Sequence, residues 1–195
     1  MVKGLREWFA RCYLCLDIMI DLYSIRPMTD QDLSMVLSWR NHPDVRRYML
    51  TQHEITLDEH RKWFRRVGLD EKRRQLIVEY LGDEIGFVQF SGITSNRVAE
   101  WSFHVKPGSP RGVGHGLGIA ALKYAFEDLK VHKVCGQALD FNNASIAFHL
   151  RLGFLKEGVL RDQYFINGMY SSLVCFGLIE EEWKTWIASN KVRNV

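Results

Sequence analysis

A glycine-rich stretch followed by an apolar run constrains this chain more than any other feature. The stretch is Arg111-Gly112-Val113-Gly114-His115-Gly116, and the run extends from Leu117 to Leu129. Glycines let a backbone turn and approach a ligand closely. Unpaired N–H groups at the start of a helix attract an anion, and the helix dipole adds to this attraction. The pattern therefore predicts a loop and a helix N-terminus that bind a diphosphate group.

Composition limits the classes of protein that the chain can belong to. Its 195 residues are 47% hydrophobic and 25% charged, which suits one domain with a sizeable core. The net charge of +3 does not imply a nucleic-acid partner. Apolar runs stay shorter than the roughly 18 residues that span a membrane. We therefore expect a cytoplasmic protein with neither a nucleic-acid nor a membrane partner.

The first 19 residues do not continue the pattern of the rest. Cys12 and Cys15 form a CxxC pair, but ligands at zinc-site spacing do not accompany it, and a thioredoxin-type motif would need a preceding strand. Two free thiols on an apolar helix face are the favoured interpretation, and no metal site is predicted. Residues 1–19 are expected to be an N-terminal extension, either helical or the product of a start assigned too early, and residues 20–190 form the domain.

Periodicity and capping patterns predict a mixed α/β chain in the order β-α-α-β-β-β-α-β-α-β-β-α. Thr29 with Asp32, and Thr56 with Glu59, have the spacing of helix capping boxes. Strands are expected at 22–26, 75–80, 85–91, 100–105, 133–139, 159–165 and 170–178. Helices are expected after Thr29 to about residue 41, and at 57–67, 117–129, 144–152 and 180–188.

Three kinds of diphosphate site are compatible with glycines before a helix. A Walker loop requires Gly-Lys-Ser/Thr, which is absent here. A dinucleotide fingerprint fits Gly116-Leu117-Gly118-Ile119-Ala120-Ala121, with Asp140 following. However, a loop with prolines separates these glycines from the preceding strand, and too little chain remains for further βαβ units. The third kind of site has the pattern Arg111-x-x-Gly114-x-Gly116. In this pattern Gly118 is expected to serve helix packing and not to contact a phosphate.

The third pattern, with a second segment, resembles the signature of the GNAT N-acetyltransferases. The second segment runs from Asn142 to Phe154, where the family pattern is Asn-x-x-Ala-x-x-x-Tyr-x-x-x-Gly-Phe. Two residues depart from this pattern, because Ser145 replaces the usual alanine and His149 replaces the usual tyrosine. The resemblance extends from about Leu22 to Trp183.

This resemblance implies a single GNAT-type domain with acetyl-CoA as co-substrate and without a metal. The central, mostly antiparallel sheet is splayed between its fourth and fifth strands, with helices on both faces. His149, whose ordinary pKa is near neutrality, is the candidate acid for the departing CoA thiolate, although a helix-packing role remains open. The residues implied to bind acetyl-CoA are Phe103, Val105, Arg111, Gly112, Val113, Gly114, His115, Gly116, Asn142 and Ser145.

Further segments resemble acetyltransferases of the pseudaminic acid pathway, on the route to flagellin glycosylation. These segments are 39–49, the helix with Glu59 and His60, and 132–139. The resemblance implies acetylation of the 4-amino group of UDP-4-amino-4,6-dideoxy-N-acetyl-β-L-altrosamine, by a chain that is a possible homodimer. The substrate-binding residues carried over are Arg40, His60, Thr94, Ser95 and His104.

The general base and the acceptor remain open at this point. Gln137 stands where relatives can carry a glutamate, so Glu100, His104, a bound water or the free amine itself are alternatives. The segment 157–162 is also similar to ribosomal-protein N-terminal acetyltransferases, and a non-catalytic acyl-CoA-binding module is a third function. Basic residues at 40–47 and 61–66 favour an anionic nucleotide-sugar over a peptide. Cys135 and Cys175 are expected to be core thiols.

Overall fold

The computed structural model describes residues 21–93 and 95–192, and its centre is a seven-stranded sheet. The predicted extension, with Cys12 and Cys15, lies outside the described residues. The spatial order is β1-β2-β3-β4-β5-β7-β6, and all neighbours pair antiparallel except β4 and β5. The strands are β1 (Tyr23–Pro27), β2 (Arg74–Tyr80), β3 (Asp83–Ser91), β4 (Val98–Val105), β5 (Lys133–Leu139), β6 (Leu155–Ile166) and β7 (Met169–Ile179).

Helices connect the strands close to the positions that periodicity predicts. The glycine-rich stretch enters its helix four residues earlier than expected, at Val113, and the end of that helix widens into a π turn, Tyr124–Asp128. A short helix after Pro43 was not predicted. The helices are α1 (Leu33–Asn41, after a 3-10 turn at Asp30–Asp32), α2 (Pro43–Arg46), α3 (Leu57–Gly68), α4 (Val113–Lys123), α5 (Asn143–Arg151) and α6 (Glu180–Val192).

Both predicted capping boxes are present. The Thr56 N–H donates to Glu59 Oε2 at 2.7 Å, and the Glu59 N–H donates to Thr56 Oγ1 at 3.2 Å. Asp32 accepts from the Thr29 N–H at 2.8 Å and also from the Arg26 guanidinium at 2.8 Å. Arg26 holds the pKa of the Asp32 carboxyl below its usual range. Local hydrogen bonds therefore place α1 and α3, and one ion pair ties α1 to β1.

Alternation along β2 directs side chains to two different layers. Leu76 and Val78 lie in a core cluster with α4 and α5, whereas Ile77 and Phe87 pack with α1 on the other face. The prediction of helices on both faces is confirmed. No helix within the described ranges combines the length and the apolar character that a membrane span requires.

The pairing between β4 and β5 is short, and this opens the sheet. Only Val98–Lys133, Ala99–Val134 and Glu100–Cys135 are in register, although β4 continues to residue 105 and β5 to residue 139. Beyond residue 100 the two parallel strands diverge. The mixed α/β fold with a sheet splayed between its fourth and fifth strands is therefore confirmed.

Candidate active site

The first turn of α4 lies beside the open end of the gap between β4 and β5. Gly112 precedes the helix with φ +94°, a conformation that glycine adopts without a steric penalty. A Cβ at Gly112 would have no heavy atom within 4 Å, and one at Gly114 would lie 3.3 Å from Val105 Cγ2. Arg111 is exposed in the preceding loop. N–H groups of a first helical turn lack intrahelical acceptors, so this corner fits a diphosphate.

The next two glycines are needed for packing. A Cβ at Gly116 would lie 2.1 Å from Tyr23 Cζ, and one at Gly118 would lie 2.6 Å from Leu152 Cδ1. Gly116 therefore lets α4 contact β1, and Gly118 lets α4 contact α5. With Gly112 as the N-cap, Gly116 is the fourth helical residue, so its N–H has an intrahelical acceptor and the geometry does not favour the phosphate contact that the sequence predicts.

The backbone N–H groups of Val113 and His115 in the same corner already have acceptors, and that of Val113 donates to the Pro110 carbonyl at 3.4 Å. The His115 N–H donates to the Gly112 carbonyl at 2.9 Å. Its half-buried ring lies 6.1 Å from the Trp186 ring of α6, and burial lowers the pKa of the imidazole. Val113 is buried in the core, and its carbonyl accepts from the Tyr23 hydroxyl at 3.4 Å. Val113 therefore packs into the core and the His115 ring packs near α6, where its buried Nδ1 has no hydrogen-bond partner among the described residues.

The divergent strands fit the elongated part of acetyl-CoA. Residues 101–105 of β4 and 136–139 of β5 border the gap without cross-strand register. Exposed strand groups of this kind can pair with the amides of an extended ligand, as in strand addition. Phe103 borders the gap, and its ring packs on Phe148 with centroids 4.6 Å apart. Together with the α4 corner, the residues present therefore fit acetyl-CoA.

Asn142 and Ser145 organise the start of α5. Asn142 Oδ1 accepts from the Ser145 N–H at 3.1 Å, as an N-cap residue does. The Ser145 carbonyl accepts a hydrogen bond from His149 Nδ1 at 2.8 Å. Asn142 therefore positions α5 beside the gap, and its cap oxygen is already used.

His149 is a buried and fully hydrogen-bonded residue. Its side chain is 1% exposed, and its ring stacks on Phe176 with centroids 4.7 Å apart. The indole Nε1 of Trp101 donates to His149 Nε2 at 3.1 Å, so the ring proton is on Nδ1 and is donated to Ser145. Burial lowers the pKa of His149 to about 4.

This environment does not favour the proton-donor role predicted for His149. At neutral pH the imidazole is uncharged, its only N–H is bonded within α5, and its other nitrogen accepts from Trp101. A general acid needs a transferable proton directed at the reacting group. The geometry instead supports the packing alternative.

Sequence reasoning did not single out Trp101 and Gly136, which lie where β4 and β5 part. A Cβ at Gly136 would lie 2.4 Å from His149 Nε2 and 2.7 Å from Trp101 Nε1. Glycine is therefore required on β5 at the point where the Trp101–His149 pair lies against it. The available signal was weak, since an aromatic residue at an alternating strand position predicts only burial.

On the opposite face of the sheet, three residues predicted to bind substrate meet in one cluster. Arg40 is at the end of α1, His60 is on α3, and His104 is on β4. His60 stacks on Trp63 with centroids 4.9 Å apart, and His104 lies 5.3 Å from the Phe87 ring. Arg40 Nη2 donates to the Thr51 carbonyl at 3.0 Å.

Each of these three residues has a buried nitrogen without a hydrogen-bond partner. The atoms are Arg40 Nη1, His60 Nε2 and His104 Nε2. Burial, then Arg40 and His60, lower the pKa of His104 to about 3, and burial and Arg40 lower the pKa of His60. Across residues 21–93 and 95–192, Arg40 forms no ion pair with a carboxylate. The cluster, which we call the Arg40 cluster, is therefore a polar site with uncompensated positive charge.

The structure does not bring Ser95 to this cluster. Ser95 is exposed in the turn before β4, whereas His104 lies near the end of that strand. Six residues of strand, at about 3.3 Å each, separate Val98 from His104 by roughly 20 Å. Thr94 lies outside the described residues.

The candidate bases lie on the same face of the sheet as the cluster. Glu100 shares the alternating phase of His104 on β4, is exposed, and is paired with Cys135 where the strands begin to part. Gln137 is exposed two residues further along β5 and cannot accept a proton. Burial raises the pKa of the Cys135 thiol, which suits an inert cysteine. His104 is a weak base because its pKa is low. Glu100 is therefore the best suited of these three candidates to accept a proton.

The described residues contain no group of three or more His, Cys, Asp or Glu side chains that could hold a metal ion.

The fold of this chain is similar to that of solved structures. The crystal structure of spermidine N-acetyltransferase from Vibrio cholerae, in complex with CoA and spermine, superposes with a TM-score of 0.78 at 23% identity. The match covers 84% of this chain and 99% of that one, which shows a shared fold.

Sequence comparison identifies the family. Acetyltransferase PseH of Campylobacter jejuni subsp. jejuni (serotype O:23/36, strain 81-176) is 28% identical over 148 residues, which are 76% of this chain and 92% of that protein. The spermidine N(1)-acetyltransferase of Escherichia coli K12 is 27% identical over 164 residues, or 82% and 87% of the two chains. The model of the acetyltransferase (GNAT) domain matches residues 24–155. The chain therefore belongs to the GNAT family and is an acetyl-CoA-dependent N-acetyltransferase.

Proposed function

We propose that this enzyme acetylates the amino group of a nucleotide-linked amino sugar. The substrate would be UDP-4-amino-4,6-dideoxy-N-acetyl-altrosamine, as in pseudaminic acid biosynthesis. One observation carries the proposal, namely the three buried nitrogens without partners in the Arg40 cluster. The similarity to acetyltransferase PseH supports it. A cytoplasmic location and a homodimer stay predictions.

Buried polar atoms without partners are costly. Each unsatisfied donor or acceptor costs about 1–3 kcal/mol, and a charged group costs more. A diphosphate oxygen would accept from Arg40 Nη1 in a charge-assisted hydrogen bond. A proton taken up by His60 or His104 would let that residue donate as well. An anionic substrate would therefore satisfy atoms that the protein alone leaves unbonded.

A polyamine substrate, as the names of the spermidine acetyltransferases indicate, needs free carboxylates instead. Near α2 and α3 the acidic side chains already have partners. Asp44 pairs with Arg47 at 3.4 Å, and Glu54 pairs with Arg46 at 3.6 Å. Glu59 caps α3. Apart from Glu100, the proposed base, the charge on this face of the sheet therefore favours an anionic acceptor.

The chemistry needs a base and hydrogen-bond donors from this chain. Glu100, where the gap begins, would take the proton of the attacking amine, directly or through water. Backbone N–H groups of residues 103–105 along the gap are the donors available to negative charge that develops on the acyl oxygen. Bound acetyl-CoA supplies the activated acyl group. A thiol with an ordinary pKa of about 8.5 is an acceptable leaving group without an obligatory acid, so His149 is not required.

The test measures CoA release by the purified protein with three acceptors: the UDP-4-amino sugar, spermidine, and an N-terminal ribosomal-protein peptide. We expect turnover with the sugar nucleotide and little with the other two. Preferred turnover of spermidine or the peptide would contradict the proposal. Acetyl-CoA binding without turnover of any acceptor would instead indicate a non-catalytic acyl-CoA-binding module.

Replacement of Arg40 tests the observation that carries the proposal. Arg40→Met should raise the KM for the sugar nucleotide about 10- to 100-fold, since a hydrogen bond to a charged group contributes about 1.5–3 kcal/mol. The KM for acetyl-CoA should stay unchanged. Arg161→Met, at an exposed arginine of the edge strand β6, is the matched control and should behave like the wild type.

A further inference from the structure

Two aromatic side chains from distant parts of the chain meet outside the core. Tyr48 follows α2, and Phe141 lies in the loop between β5 and α5. Their rings are stacked with centroids 6.1 Å apart and planes at 29°. Phe141 is 43% exposed, and neither ring belongs to the buried core clusters of the described residues. We call this pair the aromatic strap.

The strap crosses the opening between β4 and β5. On one side, Trp39 of α1 contacts His104 of β4 with ring centroids 6.4 Å apart, and α2 with Tyr48 follows directly. On the other side, Phe141 comes two residues after the end of β5. The two rings therefore join elements that belong to opposite sides of the gap, above the face that carries the Arg40 cluster.

We propose that the aromatic strap is the subsite for the nucleobase of the acceptor, which inserts between Tyr48 and Phe141. This inference rests on the proposed function. Bases stack on aromatic side chains because every base has a π face. A ring held between two others needs about 7 Å between the outer rings, from two contacts of about 3.5 Å each. The strap rings are about 1 Å closer than that, so a small displacement of the loop at Phe141 would admit a base.

Local charge supports a neutral planar group at this position. The guanidinium of Arg47 lies 4.8 Å from the centre of the Tyr48 ring, and it pairs with Asp44 at 3.4 Å. The positive charge beside the strap is thus compensated, whereas Arg40 in the neighbouring cluster is not. A nucleoside diphosphate matches this arrangement of charge, because its neutral aromatic base would lie at the strap and its anionic diphosphate near Arg40.

The test uses three probes and the full chain. UDP supplies a base and a diphosphate, the diphosphate of 5,6-dihydrouridine has a saturated ring that cannot stack well, and inorganic pyrophosphate has no base. Calorimetric titration should show that UDP binds about tenfold or more tightly than its dihydro form, which corresponds to a stacking energy of about 1.4 kcal/mol or more.

Variants assign this preference to the strap. Phe141→Leu and, independently, Tyr48→Leu should reduce the ratio of UDP to dihydro-UDP affinity to about one while pyrophosphate binding is retained. Phe165→Leu is the matched control, because Phe165 is also exposed and paired with a tyrosine ring, 5.1 Å away on the β6–β7 hairpin. It should keep the full ratio, and circular dichroism checks the fold of every variant.

The outcomes separate the two proposals. Equal affinity of UDP and its dihydro form in the wild type, with pyrophosphate still bound and lost in Arg40→Met, would overturn the strap subsite and leave the anion site standing. A ratio unchanged in both strap variants would also overturn it. If none of the three probes binds, the proposed nucleotide-sugar function fails, and the strap subsite fails with it.

Discussion

Replacement of His149 by phenylalanine should make the stability of this enzyme less sensitive to acid. In the folded chain the pKa of His149 is lowered to about 4 by burial. In the unfolded chain a histidine has a pKa of about 6.5. As the pH falls below about 6.5, the unfolded state therefore binds a proton that the folded state does not, and stability is lost until the pH reaches about 4.

The size of the effect follows from the difference between the two pKa values. One pH unit within this window corresponds to about 1.4 kcal/mol per histidine. Between pH 7 and pH 5, His149 alone should lower the free energy of unfolding by about 2 kcal/mol. His104 adds to the loss in the wild type and stays in the variant, so the difference between the two proteins isolates His149.

Urea denaturation at pH 7, 6 and 5, with the wild type and His149→Phe, is the assay. At pH 7 the free energy of unfolding of the variant should already be lower than that of the wild type, because the Trp101 indole loses its acceptor at a cost of about 1–3 kcal/mol. Between pH 7 and pH 5, however, the variant should lose about 2 kcal/mol less of its free energy of unfolding than the wild type does. His53→Gln, at an exposed histidine, controls for the removal of a histidine as such. Parallel pH profiles of the wild type and His149→Phe would refute a neutral, buried His149.

Activity provides an independent check on the same residue. General acid catalysis contributes about 10²- to 10⁴-fold to a rate. The folded His149→Phe variant should lose less than about tenfold in turnover at pH 7. A loss of 100-fold or more, with an unchanged KM for acetyl-CoA, would restore the proton-donor role.

Three further predictions concern packing and domain limits. Gly116→Ala should destabilise the protein by about 1–3 kcal/mol in urea denaturation, because the added Cβ would lie 2.1 Å from the Tyr23 ring; Gly116→Ala with wild-type stability would contradict this packing. Gly136→Ala should cost a similar amount through its contact with His149, measured in the same way, and should not be rescued by added acetyl-CoA. Removal of residues 1–18 should leave a folded, active enzyme in circular dichroism and CoA-release assays, whereas loss of folding would refute an N-terminal extension outside the domain.

Much of the fold was predictable because its signals are local. The Thr29 and Thr56 capping boxes, and the β5 strand over residues 133–139, have their predicted positions. The helix after the glycine-rich stretch begins earlier than expected, because the first turn contains glycines that helix propensity disfavours but packing requires. The short helix α2 escaped prediction, since one turn of four residues has no periodicity to detect.

The sequence predicted which residues would form the substrate cluster better than it predicted what each residue would do. Arg40, His60 and His104 were selected by resemblance, and the structure adds their convergence and their unbonded nitrogens. Ser95 was placed in the same group, although strand length separates it from the others. Trp101 and Gly136 escaped notice because their importance arises only from contacts with α5.

The sequence by itself determined the order of strands and helices, the glycine-rich start of α4, and the family. All three depend on the spacing of residues within short segments, because local hydrogen bonds and side-chain periodicity determine the structure of such segments. Only the tertiary structure shows the environment of His149, in which burial lowers the pKa of the imidazole and the Trp101 indole donates to it. It also brought the rings of Tyr48 and Phe141 together and left Arg40 without a carboxylate partner among the described residues. Contacts between residues far apart in the chain determine both desolvation and proximity, and no local pattern encodes them.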